Sequence, residues 1–292
     1  VQQEQHQQVL LRREFRDGTG RGTVSPLLWG EREGGGPALP EGASPSTVTV
    51  SQDAAGRWHV SLLCEDSTVQ PLPTTDTAVG IDVGLDHLLT LSTGEKASNP
   101  RHERRDRSCL AKAQRQLARK DRGDGANRAE ARRKVAKIYA RITDRRRDHL
   151  HKLTTRLVRE NQTIVIEDLT VRNMVKNGSL ARAISDAAWS QFRSMLEYKA
   201  QWYGREVIAI DRWFPSSKLC SACGTLRGEM PLSIRTWTCD SCGTTHDRDV
   251  NAAKNILAVG LTASVCGAGV RPQRRTPGGQ SAMKQKPLRR EP

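Results

Sequence analysis

The sequence predicts a mixed α/β domain that carries a basic helical insertion and a small four-cysteine ribbon. Three observations lead there. Apolar or alternating segments of strand length (TVTV, AVGIDV, IVIE, VIAI) recur along the chain. Between the second and third of these lies a long, strongly basic stretch with helical periodicity. Near the end stand two Cys-x-x-Cys pairs, Cys220/Cys223 and Cys239/Cys242.

Taken in order, residues 1–46 are expected to carry little order. Their Gln-rich start (VQQEQHQQ) and Gly-rich stretch (EREGGGPALPEG) cannot bury much surface. In 47–76, Val48 and Val50 alternate, DAAG forms a turn, and Trp58, Val60, Leu62 and Cys64 alternate again. This predicts a β-hairpin followed by a Pro/Thr linker, PLPTTD. Val79, Ile81 and Val83 form a strand, Gly84 permits a sharp turn, and Leu88–Leu91 form the next strand.

Residues 102–121 and 126–160 read as two helices broken at RGDG. The second keeps a stripe of Val135, Ile138, Tyr139, Ile142, His149, Leu150, Leu153 and Leu157. The all-apolar strand Thr163–Ile166 implies burial inside a sheet and runs directly into Glu167 and Asp168. Residues 186–204 read as one amphipathic helix with Trp189, Phe192, Leu196 and Trp202 facing the core. VIAI (207–210) is another buried strand, and a helix spans about Val250 to Val259. The tail beyond Gly267 is basic, Pro-rich and expected to lack order.

Charge bounds the partner. The 292 residues hold 47 Lys+Arg against 32 Asp+Glu, a net +15. Residues 101–159 hold 21 Lys+Arg and 7 Asp+Glu, so +14 of that +15 lies in one-fifth of the chain. Such concentration points to a polyphosphate backbone as the ligand of these helices. Arg115, Arg119, Lys120, Arg132, Arg133, Lys137, Arg141 and Arg145 are the candidate contacts, with Arg248 further along. No apolar run approaches membrane-spanning length, so the expected setting is the cytosol, with no membrane partner. In that compartment seven cysteines do not suggest a disulfide framework.

The two cysteine pairs are separated by fifteen residues, a spacing suited to one four-thiolate structural zinc. Gly224 and Gly243 each follow the second Cys of a pair, where a knuckle turn needs positive φ. Four thiolates leave no open coordination position, which makes His246 surplus and the zinc structural. Cys64, Cys109 and Cys266 read as ordinary thiols.

Three carboxylates stand where they are costly without a partner: Asp82 inside GIDVG, Glu167 at the end of a buried strand, and Asp249 at a helix start. Converging, they would hold Mg²⁺ for phosphodiester hydrolysis. Separately, Asp82 could pair with an Arg of the basic helices and Asp249 could cap its helix. Spacing does not decide between these.

GIDVG (80–84), IVIEDL (164–169), the two cysteine pairs and DRDVNAAKNI (247–256) occur in an order that resembles the TnpB family, the OrfB-type proteins of bacterial insertion sequences related to type V CRISPR effectors. RRDHLHKLTTRLV resembles the end of that family's helical insertion, and WFPSSKLCSACG is similar to its approach to the ribbon.

The resemblance covers about residues 45–292. It implies an RNase H-like (RuvC) mixed sheet with a basic helical insertion and an inserted zinc ribbon, preceded by a remnant of a β-barrel domain. It implies Asp82, Glu167 and Asp249 as catalytic acids holding two Mg²⁺, with Asp247 the neighbour weighed against Asp249. Asp168 and Asp86 are weaker acidic neighbours that either support these acids or stand in solvent, and Arg248 and Asn251 could contact phosphate or orient a carboxylate. DNA and a guide RNA are the implied partners of an RNA-guided DNA endonuclease.

The expected layout is a low-order segment (1–46), a hairpin and linker (47–76) and a nuclease core (77–214) with basic helices at 102–160. The ribbon (215–245), the end of the core (246–262) and a tail (263–292) complete it. The family's barrel is matched only by the hairpin, so the chain reads as an N-terminally shortened or diverged member. That leaves a second expectation, a non-catalytic nucleic-acid-binding regulator that keeps the fold. A strand-joining transposase is a third, which the ribbon ahead of the last acid argues against.

Overall fold

The structure is a computed structural model that describes residues 8–15, 45–65, 69–121, 123, 125–231 and 233–266. At the front, strands β1 (Gln8–Phe15), β2 (Pro45–Gln52) and β3 (Trp58–Glu65) form an antiparallel sheet in the order β1-β3-β2. The expected hairpin is present, but the low-order expectation for 1–46 fails at Gln8–Phe15. That segment pairs with β3 from Gln8↔Glu65 to Phe15↔Trp58. QVLLRREF lacks clean alternation, so partner pairing rather than its own pattern makes it a strand. The rest of 1–46, and the tail beyond 266, lie outside the described residues.

The hairpin turn is fixed by Asp53, whose carboxylate accepts the Ala55 and Arg57 N–H groups at 2.9 Å each, and by Gly56 at φ 82°. Burial raises the Asp53 pKa, but hydrogen bonds and charge from Arg57 and His59 outweigh this and hold it at about 2.

The central sheet has five strands in the order β6-β5-β4-β7-β8. Strands β4 (Ala78–Val83), β5 (His87–Leu91) and β6 (Lys96–Ser98) are antiparallel, whereas β4, β7 (Thr163–Glu167) and β8 (Glu206–Ile210) run parallel. Two helices, α1 (His102–Ala118) and α2 (Gly125–Glu160), are inserted between β6 and β7. At about 1.5 Å per residue, α2 is roughly 54 Å long. Its distal part pairs with α1, where Arg141 and Arg145 clasp Asp106 at 2.8 and 2.9 Å. Arg57 of the front turn ion-pairs with Asp144 and so ties the small sheet to this helix.

After β7 come α3 (Val171–Met174), α4 (Ala181–Ala187) and α5 (Trp189–Trp202). The single helix expected over 186–204 is therefore broken. Ala188 adopts φ 52°, a left-handed conformation that neither a Gly nor a Pro announces. Strands β9 (Thr236–Thr238) and β10 (Thr245–Asp247) form the ribbon's two-stranded sheet. The last helix, α6 (Arg248–Cys266), runs past the expected end at Val259.

Strand alternation assigns the two faces of the central sheet. Val79, Ile81, Ile164 and Ile166 pack with Leu150, Leu153 and Leu157 of α2 and with Trp189, Phe192 and Leu196 of α5. Lys199 of α5 crosses this layer, its Nζ donating to His151 O, Thr154 Oγ1 and Thr155 Oγ1 at 2.7–2.9 Å. Burial lowers its pKa to about 8. Val165, Ile208 and Ile210 turn to the opposite face, which α6 covers through Ile256. VIAI is thus an edge strand buried mainly through alternate residues, not on both faces as its composition suggests.

Two glycines let α6 sit directly on the sheet. A Cβ at Gly80 would lie 2.1 Å from Ala253 O and 2.7 Å from Leu257 N. One at Gly260 would lie 2.3 Å from Val165 Cγ1. Gly80 shares its face with Asp82, so the approach that needs glycine also aims the start of α6 toward that aspartate.

Candidate active site and metal ribbon

The parallel pairing of β4 and β7 runs Gly80↔Val165 and Ile81↔Ile166. One step further, Asp82 lies beside Glu167 at the carboxyl ends of adjacent strands, both turned to the α6 face. The third acid, Asp249, enters from the first turn of α6. Burial, then the charges of Glu167 and Asp249, push the Asp82 carboxyl well above the usual range. Burial also raises Glu167, against a 2.6 Å hydrogen bond from Ser216 Oγ. Asp82 therefore lies in the field of both other carboxylates.

Asp247 has other partners. Its Oδ1 accepts the Asp249 and Val250 N–H groups at 3.1 Å each, making it the N-cap of α6, and its Oδ2 pairs with Lys96 Nζ at 2.7 Å. The capping role considered for Asp249 thus belongs to Asp247. Asp168 turns away from Glu167 to Arg193, at 2.6 Å, and Arg212. Asp86 is exposed and pairs with Arg101 and Arg235.

Sequence reasoning missed Arg235 and Ser216. Arg235, just before β9, sets one guanidinium nitrogen 3.5 Å from Asp249 Oδ1 and the other against Asp86. No motif marks it, because its proximity arises from folding of the ribbon over the sheet edge. Ser216 lies in the quoted WFPSSK stretch, but only the fold brings it to Glu167.

In the ribbon, Cys220, Cys223, Cys239 and Cys242 place their Sγ atoms within 4.8 Å of one another. Both knuckles have the same backbone pattern. Gly224 N–H donates to Cys220 O and Gly243 N–H to Cys239 O, each at 2.9 Å, with φ of 74° and 72°. This four-sulfur set could hold one tetrahedral metal ion. His246 is buried against Trp237, its Nε2 3.1 Å from Cys220 Sγ.

The ribbon is bolted to α6. Asn251 Nδ2 donates to Leu219 O at 2.7 Å, and Asn255 Nδ2 donates to Ser216 O and Leu219 O at 2.8 and 2.7 Å. Ser221 N–H returns a 2.9 Å bond to Asn251 Oδ1. Arg248, expected at nucleic acid, is instead buried, and its Nη1 donates to Pro231 O and Ile234 O of the ribbon. Asn251, considered for phosphate, serves the same joint.

Of the basic-helix candidates, Arg115, Arg119, Lys120, Arg132, Arg133 and Lys137 are exposed. Arg141 and Arg145 are engaged with Asp106. Among the described residues no helix is long and apolar enough to cross a membrane.

Comparisons with known proteins bear on the chain's family. The OrfB_IS605 family, described as "Probable transposase", matches residues 59–178, and the "Cas12f1-like, TNB domain" family matches residues 189–256. A Streptomyces pristinaespiralis protein named "Putative RNA-guided DNA endonuclease" is 70% identical over 252 residues, covering 86% of this chain and 62% of that protein. "Putative RNA-guided DNA endonuclease InsQ" of Escherichia coli (strain K12) is 35% identical, covering 75% of this chain and 58% of that protein. "TnpB-like protein L79" of Acanthamoeba polyphaga mimivirus is 25% identical over 82% of this chain and 48% of that protein. The chain spans about three-fifths of the length of the first two relatives. With both halves of its core and its ribbon matched in order, the chain belongs to the TnpB family of OrfB-type proteins.

Proposed function

We propose that this chain is the nuclease part of an RNA-guided DNA endonuclease with a RuvC-like, RNase H-like core. Asp82, Glu167 and Asp249 hold two Mg²⁺, and the four cysteines hold one structural zinc. The observation that carries this is the register of β4 and β7, which sets Asp82 beside Glu167 on the face that α6 crosses with Asp249. A carboxylate whose pKa is raised by burial, and then by two neighbouring carboxylates, favours a cation. When bound, divalent cations supply Lewis-acid polarisation of a phosphodiester and an activated water.

The chain's own residues prepare that site. Ser216 orients Glu167, Asp247 caps α6 and fixes the direction of Asp249, and Arg235 offers a guanidinium beside Asp249 for a phosphate oxygen. The exposed basic residues of α1 and α2 hold the nucleic-acid backbone.

Purifying the protein from cells that carry its flanking DNA, and sequencing the RNA bound to it, tests the guided reading; recovery of no specific RNA would sink it. Mg²⁺-dependent cutting is lost in Asp82→Ala, Glu167→Ala and Asp249→Ala. If Asp249→Ala cut like wild type while Asp247→Ala did not, the third acid would be Asp247. The Arg235 guanidinium, already 3.5 Å from Asp249 Oδ1 where a cation would bind, favours one alternative, a nucleic-acid-binding regulator without cleavage. Specific RNA binding without Mg²⁺-dependent cutting would establish it.

A further inference from the structure

Trp213 is 85% exposed, far above the next large apolar residue, Leu226 at 59%. An indole in water leaves unburied the large apolar area that usually makes Trp a core or interface residue. Looseness does not account for it. Trp213 N–H donates to Asp211 Oδ1 at 2.8 Å, Phe214 N–H donates to Asp211 O at 3.2 Å, and Phe214 packs against the core under α6. The backbone that carries the indole is therefore pinned on both sides.

Its neighbours in the chain place it. Arg212 is held by Asp168 and Thr170 beyond the end of β7, and Ser216 donates to Glu167. With consecutive Cα atoms about 3.8 Å apart, Trp213 lies no more than about 11 Å from Ser216. That is roughly the reach of one or two nucleotides of extended strand. A solvent-facing aromatic ring on a pinned backbone, next to a site for phosphodiesters, is an arrangement on which unpaired bases stack.

We propose that Trp213 is a stacking platform for one unpaired base of the DNA strand that reaches the carboxylates, so that the site selects single-stranded over duplex DNA. This rests on the nuclease reading above. The ring face recognises any base, so the contact sets strandedness and register, not sequence. Trp213 touches the strand away from the reacting atoms and is a positioning residue.

The test uses the full chain with two fluorescein-labelled probes, a short oligothymidylate and an abasic strand with the same phosphates, by anisotropy with Ca²⁺ in place of Mg²⁺. Backbone attraction is common to both probes, so the ratio of their Kd values isolates the base contact. Wild type is expected to favour the thymidylate by about 5- to 150-fold, the range for one stacked base. Trp213→Ala and Trp213→Leu should bring the ratio close to one, while Trp213→Phe keeps most of it.

A wild-type ratio retained in Trp213→Ala would overturn the proposal, as would Trp213→Leu matching Trp213→Phe, which marks a merely greasy contact. A fall in thermal midpoint for Trp213→Ala with the ratio unchanged would also overturn it, by showing that the ring is covered by protein. Failure of the nuclease reading looks different: either wild type would not cut in Mg²⁺, or its cutting would survive Asp82→Ala, whatever Trp213 does.

Discussion

Replacing Gly80 with Ala tests whether the docking of α6 sets the active site. The new Cβ would sit 2.1 Å from Ala253 O, 2.7 Å from Leu257 N and 2.8 Å from Leu257 Cβ. Two of these are backbone atoms of α6, so no side-chain rotation relieves the clash. Restoring ordinary contact near 3.4 Å requires α6 to retreat by about 1.3 Å from β4. Asp249 lies one helical turn before Ala253 and moves with it.

Overpacking of this kind costs about 1–3 kcal/mol of stability. A displacement of about 1 Å in a catalytic constellation lowers rates by roughly 100-fold. The assay pairs thermal unfolding with single-turnover, Mg²⁺-dependent cleavage. Gly80→Ala is expected to lower both while zinc content stays at one per chain. Gly125→Ala at the start of α2, where nothing lies within 4 Å of the added methyl, should cut normally. A Gly80→Ala protein with wild-type cleavage and midpoint would refute the claim that close docking of α6 places Asp249.

Three further outcomes are expected. Cys220→Ser should bring zinc well below one equivalent by plasma mass spectrometry and lower the unfolding midpoint, since a structural four-sulfur site contributes folding energy directly; a full equivalent retained would speak against these ligands. Lys199, near 8 instead of its ordinary 10.5, binds its proton less tightly folded than unfolded, so its contribution to stability grows as pH rises from 8 to 10.5 and is lost as pH falls through 8. Wild type should therefore gain on Lys199→Met across that window in pH-dependent melting, and parallel curves would contradict it. Ala188→Gly should raise stability by roughly 1 kcal/mol, because φ 52° strains alanine and not glycine; a lower midpoint in denaturant titration would show that the methyl is needed for packing.

The parts legible in the sequence were those whose physics is local. Thr163–Ile166 is a short run of strand length and mostly apolar character, which points to a buried strand, whereas its register with AVGIDV comes only from the fold. The cysteine knuckles declare themselves through spacing and a trailing glycine. What stayed hidden depends on tertiary contact. Gln8–Phe15 becomes a strand because β3 offers it a partner, and Ala188 takes φ 52° where neither a Gly nor a Pro marks a break.

The site divides the same way. Asp82, Glu167 and Asp249 could be singled out because a carboxylate in an apolar setting is costly. The capping role of Asp247 was masked by its neighbour, two residues on, of the same type. Arg248 looked like one more phosphate ligand in a basic chain; its burial under ribbon carbonyls reverses that expectation. Arg235 and Ser216 lie far in sequence from the acids they touch, 14 residues before Asp249 and 49 after Glu167, so no short motif contains them.

The paired asparagines of α6 have a consequence for modularity. Asn251 and Asn255 bind the main chain leading into the first knuckle, while the same helix begins with Asp249. The ribbon is inserted in the chain like a cassette but is not built like one. A chimera that exchanged residues 215–245 for another protein's ribbon would have to reproduce the carbonyl positions at 216 and 219. Otherwise it would release the helix that carries an acid, and the graft would be inactive even with its zinc in place.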